Sequence, residues 1–173
     1  MLLRVVLALP DFGRLDALAE PWRRLYAHSA ILPTLVLFGH LGGLLAAGSL
    51  SLAANRATLR IDERDGDARR RHLEERARLH RPVAFALAVA MGNGALLFLA
   101  DVEAFAASWI FWAKMSLVLA MIANAVLAAW LDARLRRDGA NDGALWRRRR
   151  TCALTSGALW FVLVLAGAAL ATR

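Results

Sequence analysis

The stretch SWIFWAKMSLVLAMIAN, residues 108–124, has the length and apolar character of a membrane span but carries a lysine in its first half. Lys114 is the sole lysine of the chain, the other basic side chains being arginines. A positive charge at that depth in a bilayer is costly, and an ionisable residue inside a span is by default a functional-site hypothesis. The rest of the chain decides whether the span is real and what the lysine serves.

Hydrophobic residues make up 59% of the 173 positions, and the mean hydropathy is +0.46. Soluble domains hold about 45–50% apolar residues. Four apolar runs reach the roughly 17–25 residues that a spanning helix needs. They cover residues 31–54, 83–100, 105–131 and 152–171. The expected fold is all-α: one integral membrane domain over residues 1–173, built as an up-down bundle of four transmembrane helices.

The arginines orient this bundle. Residues 55–81 carry Arg56, Arg60, Arg64, Arg69, Arg70, Arg71, Arg76, Arg78 and Arg81, and residues 132–151 carry Arg134, Arg136, Arg137 and the run Arg147 to Arg150. The link between spans two and three has no basic residue and only Asp101 and Glu103. The positive-inside rule then makes 55–81 and 132–151 cytoplasmic loops and leaves both termini outside, in a multi-pass membrane protein. The net charge of +8 is mostly topology, with anionic lipid headgroups as its natural partners. Acidic residues Asp62, Glu63, Asp65, Asp67, Glu74 and Glu75 interleave the first loop. That pattern describes a solvated helical extension with internal ion pairs, and not a nucleic-acid surface.

The opening MLLRVVLALP has too short an apolar run for a signal peptide; Pro10 and Asp11 close it, and no small-residue cleavage site follows. It is expected to stay in the mature chain. Over residues 11–28, Phe12, Leu15, Leu18, Trp22 and Leu25 recur every three or four positions, which predicts an amphipathic helix lying in the membrane interface. Pro21 is expected to kink or split it. The lone Cys152 has no intrachain disulfide partner and reads as a packing residue.

Depths compared across spans bring the lysine into company. His40 lies about 10 residues, ~15 Å, down span one, and Lys114 about 9 residues, ~14 Å, down span three. Spans one and three of an up-down bundle are diagonal, so their inner faces look at each other through the middle. Span two is expected to bring Met91, Gly92, Asn93 and Gly94 to this layer, and span four Trp160. Glycines there admit a backbone or a flat ligand. Blander readings stand beside this one: Lys114 snorkelling outward from a lipid-facing position, His40 as a hydrogen-bonded core histidine, Met91 as core filling.

The chemistry that uses an imidazole facing another polar group is haem b, held by axial side chains on opposite faces of the porphyrin. His28 is about 18 Å away on the same helix and His80 sits at the cytoplasmic end of span two, so neither serves as a second ligand to His40. Lys114 is better placed, as second axial ligand or as the charge that meets a haem propionate. A ligand must be neutral and a propionate partner charged; both roles stay open. Copper is the alternative metal, although Cu(I) prefers Cys and Met and Met91 is the one thioether expected at the layer.

The stretches HLGGLLAAGSLSLAANRATLR (residues 40–60), LHRP (79–82) and GALLFLADVEAFAASWIFWAKMSLVLAMIANA (94–125) resemble a set of small four-helix bacterial membrane families. These are the CopD-like copper-resistance domain, its relatives of unknown function, to which the likeness is closest, and more remotely the HemJ-type protoporphyrinogen oxidases. The resemblance covers roughly residues 37–131. Its HemJ-type part implies haem b and activity tied to the first-span histidine and the third-span lysine, whose matching positions are His40 and Lys114 here, and the set as a whole implies small membrane proteins of bacteria. The relatives of unknown function tend to carry an aspartate after the first span, where this chain has Asn55. The expected function is a haem-b protein of electron transfer or porphyrin or quinone redox chemistry, a haem-dependent oxidoreductase if it is an enzyme. The alternatives are a copper-handling protein and a non-catalytic subunit or assembly factor, either as a homo-oligomer or within a larger membrane complex.

Overall fold

The structure, a computed structural model, describes residues 13–62, 65–138 and 142–171. They form six helices and, among the described residues, no strand: α1 (Gly13–His28), α2 (Leu32–Arg60), α3 (Gly66–Ala100), α4 (Val102–Ala107), α5 (Trp109–Asp138) and α6 (Gly143–Ala171). Helices α2, α3, α5 and α6 are long and apolar enough to cross a membrane, as expected from the four apolar runs. Phe12 and the opening ten residues lie outside the described residues.

Local chemistry accounts for the helix boundaries. Pro33 sits in the first turn of α2, where a missing N–H costs nothing. Asp65 caps α3 by accepting from the Ala68 N–H at 2.8 Å, and Asp142 caps α6 by accepting from Ala144 and Leu145 at 2.8 and 3.0 Å. Each cap satisfies amides that have no partner inside the helix. Pro21 lies within α1 without splitting it, and α3 likewise runs through Pro82.

Two expected boundaries are corrected. The third apolar run is broken at Ser108: Phe105 belongs to the short α4, and the spanning helix begins at Trp109. Asp101 ends α3 and also caps α4, accepting from Ala104 at 3.2 Å, while Ser108 Oγ accepts from Phe111 at 3.4 Å. These two polar residues turn the chain twice within one apolar segment. The basic loops are also shorter than expected, because α2 runs on to Arg60, α3 begins at Gly66, and the arginine run 147–150 lies inside α6. At 1.5 Å per residue the 35 residues of α3 extend ~52 Å, well beyond a hydrocarbon core of about 30 Å.

Helix α2 packs against α3 and α6, and α5 packs against α6, so α2 and α5 are diagonal, as are α3 and α6. Gly43 sets the closest approach. A Cβ there would stand 2.7 Å from the Ala86 carbonyl oxygen and 2.8 Å from the Ala90 nitrogen, so the backbones of α2 and α3 touch, as small residues permit in membrane helices. One apolar cluster (Leu73, Leu131, Leu135, Leu145, Trp146, Cys152 and Ala128) closes the end of the bundle that carries the arginines, and a second (Ala47, Ala86 and Trp160) lies mid-bundle. Helices α1 and α4 cover the opposite end, where Ala19, Val36, Val102, Ala106 and Ile110 are buried and the Trp22 indole N–H donates to the Leu96 carbonyl at 2.9 Å. Outward-facing Phe38, Leu45, Phe85, Leu119, Phe161 and Leu165 are exposed. An apolar exterior on this scale suits lipid rather than water.

Candidate functional site

The layer begins with a hydrogen bond between distant residues. Nδ1 of His40, on α2, lies 2.7 Å from the carbonyl oxygen of Ala90, on α3. A carbonyl only accepts, so Nδ1 carries the proton and, in the neutral ring, Nε2 holds the lone pair. No hydrogen-bond partner for Nε2 exists among the described residues. Metal-binding histidines are commonly set in this way, one ring nitrogen donating to a carbonyl and the other left as the ligand.

One turn beyond Ala90, a Cβ on Gly94 would stand 3.0 Å from both Nδ1 and Cε1 of His40. The absent side chain of Gly94 therefore seats the imidazole. Asn93 donates through Nδ2 to the Val89 carbonyl at 2.9 Å and packs against Gly39, where a Cβ would meet its amide at 2.7 Å. Nothing lies within 4 Å of a Cβ built on Gly92 or on Gly42. Met91 is 58% exposed.

Lys114 is half-buried in the second turn of α5. Its Nζ lies against α6, 3.7 Å from where a Cβ on Gly167 would be. No carboxylate pairs with it among the described residues, and it lies within electrostatic range of His40. The fold thus brings His40 and Lys114 toward each other from diagonal helices. Trp160 is not brought to them. It packs 3.5 Å from a Cβ on Gly48, eight residues or ~12 Å along α2 from His40. Equal depths counted from the helix ends placed it too near the layer.

A second polar cluster lies at the arginine end, on the charged first half of α3 and its neighbours, outside the apolar run 83–100. Asp132 of α5 is buried and shared between two guanidinium groups: Arg76 Nε of α3 at 3.1 Å and Arg149 Nε of α6 at 2.7 Å. Arg76 also reaches Asn55 Oδ1 at 3.5 Å. Thr58 Oγ1 donates to the Ala54 carbonyl at 3.0 Å, so its oxygen accepts at 2.8 Å from the Nε2–H of His72. Burial, with the charges of Arg76 and Arg149 adding to it, pushes the His72 imidazole down to about 4. It is neutral at pH 7. The expected solvated extension is helical and keeps Arg70, Arg71, Glu74 and Glu75 exposed, but it is corrected at Arg69 and His72, which are buried, as is Arg149 of the second arginine-rich segment. The signal was in the sequence as Arg69, His72 and Arg76, spaced by three and four along one helix face.

Among the described residues no three His, Cys, Asp or Glu side chains gather at metal-binding distance, and His80 and Glu75 are exposed. A shallow groove of about 260 Å³, lined by Leu127, Trp130, Leu131, Arg148, Thr151 and Cys152, lies at the arginine end, away from His40 and Lys114. Comparison with known proteins finds no family model, no curated protein and no solved structure that matches this chain.

Proposed function

We propose that this chain is a multi-pass haem-b protein of a bacterial inner membrane that transfers electrons to or from a porphyrin or quinone, with the arginine end of the bundle in the cytoplasm. The observation that carries the reading is the His40–Ala90 hydrogen bond, which leaves Nε2 as a lone-pair nitrogen inside a membrane bundle. The chain's residues fit haem b in two respects. His40 offers an imidazole whose tautomer is set. Lys114, across the bundle, has no carboxylate to neutralise it among the described residues.

In this reading Nε2 of His40 would hold the haem iron, and Lys114 would serve either as a second ligand or as the partner of a propionate. Bound haem supplies reversible one-electron chemistry. The low-dielectric surroundings strengthen the lysine's electrostatic effect on an anionic partner relative to water. Copper has less support, since Met91 is exposed and the layer holds no soft sulfur ligand beside His40.

The test is a dithionite-reduced minus oxidised spectrum of the detergent-purified protein with pyridine haemochrome quantitation. About one haem b per chain is expected, lost in His40→Ala; a preparation without haem despite ample supply, or one whose colour survives that substitution, rejects the reading. Lys114→Met separates the lysine's roles, shifting the spin state if it is a ligand and lowering haem content with an unchanged spectrum if it meets a propionate. For orientation, Glu103→Cys in a Cys152→Ser background is expected to react with a membrane-impermeant maleimide on intact cells, and Arg70→Cys is not.

A further inference from the structure

The cluster at the arginine end has more hydrogen-bond donors than acceptors. Arg149 is 1% exposed, and its Nε–H is taken by Asp132 at 2.7 Å. Both terminal nitrogens, Nη1 and Nη2, are buried without a hydrogen-bond partner. The indole Nε1 of Trp146, three residues earlier on the same face of α6, is likewise buried and without an acceptor. These groups can only donate, and a guanidinium keeps its proton in any protein environment. Buried polar groups are nearly always satisfied, so these donors call for an acceptor.

Charge says which kind. Arg76 and Arg149 share the single carboxylate of Asp132, and His72 beside them is neutral. Glu75, which also acts on His72, is exposed. Among the described residues one positive charge in the shared pair is therefore uncompensated. The Arg69 guanidinium lies 5.2 Å over the Trp146 ring. Water would satisfy the N–H groups and leave the charge. An oxyanion does both, and a phosphate group offers several acceptor oxygens to a guanidinium fork.

We propose that the arginine end binds a phosphate group at Nη1 and Nη2 of Arg149, with the Trp146 N–H as a further donor. Such a group comes from an anionic phospholipid headgroup or from free phosphate. The cluster lies where the apolar spans give way to the arginine-rich ends, the level of lipid phosphates in a bilayer. The site is independent of any haem at His40.

The experiment follows thermal unfolding of the full chain in maltoside micelles, which carry no phosphate. Plain micelles are compared with micelles doped with phosphatidylglycerol, and separately with plain micelles given inorganic phosphate in place of chloride at equal ionic strength. A rise in the midpoint of roughly 5 °C or more is expected: in the phosphatidylglycerol micelles if the source is lipid, with inorganic phosphate if it is soluble. Arg149→Lys keeps the charge but removes the terminal guanidinium donors, and is expected to abolish the rise. Arg71→Gln, an exposed control, leaves it. Should Arg149→Lys not fold, Trp146→Phe replaces the indole by a smaller aromatic ring without an N–H, and is expected to reduce the rise. No rise with either probe, or a rise that the folded Arg149→Lys protein or Trp146→Phe retains in full, overturns the proposal.

Discussion

The imidazole of His40 occupies the space that a side chain on Gly94 would need, with Nδ1 and Cε1 both 3.0 Å from that missing Cβ. At that distance the ring must move by a few tenths of an ångström if a methyl is added, which strains the bond to Ala90. Alanine itself suits a helix better than glycine by about 1 kcal/mol. Gly94→Ala should therefore leave the thermal midpoint within about 2 °C of the native value while lowering haem content at least about twofold. Full haem content in that variant would mean that the seat of His40 is looser than the geometry shows.

Gly43 and Gly42 are neighbours with opposite surroundings. A Cβ on Gly43 meets backbone atoms of Ala86 and Ala90 at 2.7 and 2.8 Å, whereas one on Gly42 meets nothing within 4 Å. Gly43→Ala is expected to cost about 1–3 kcal/mol by forcing α2 from α3. Gly42→Ala is expected to be neutral or mildly stabilising. Reversible unfolding of the two variants in mixed micelles checks the ranking.

Asp132 ties three helices together through Arg76 and Arg149. Asp132→Asn leaves two guanidinium groups without their carboxylate, and removing one partner from a buried pair costs about 3–5 kcal/mol. The double variant Asp132→Asn/Arg149→Met should be less impaired than the sum of its two single variants, by about 0.5–3 kcal/mol of coupling. Additivity within about 0.3 kcal/mol would show that the pair does not interact in the folded protein.

Acid should destabilise the bundle through His72. Its folded value is about 4 against 6.5 for an ordinary imidazole, so between those values the unfolded chain binds the extra proton and stability falls with falling pH. About 2 kcal/mol is expected to be lost between pH 7 and pH 5. His72→Gln, which keeps an N–H donor for Thr58, should flatten that dependence. An unchanged slope in this variant would assign the acid sensitivity elsewhere.

Much of the fold was legible because its causes are local. Run length and apolarity mark α2, α3, α5 and α6, and acidic or hydroxyl caps mark several of their starts. The break at Ser108 was not legible in hydropathy, because α4 and α5 form one apolar stretch and only the paired capping by Asp101 and Ser108 divides it. His40 and Lys114 stood out as ionisable residues within spans. Trp160 was misplaced because a residue count from the helix ends does not contain the packing that sets its ring against Gly48. Arg69 and His72 looked solvated, as charge-rich loops usually are, until the convergence of α3, α5 and α6 on Asp132 enclosed them.

The sequence by itself determined that this chain is helical, that four of its helices can cross a membrane, and where its positive charge lies. These depend on hydrophobic run length, helix caps and composition, each a property of contiguous residues. Tertiary structure decided which donor meets which acceptor: His40 with Ala90, fifty positions apart, and Arg76 and Arg149 with Asp132, 56 and 17 positions away. Such pairings depend on helix stagger and on the few glycines that let backbones touch. They therefore arise only when the helices pack.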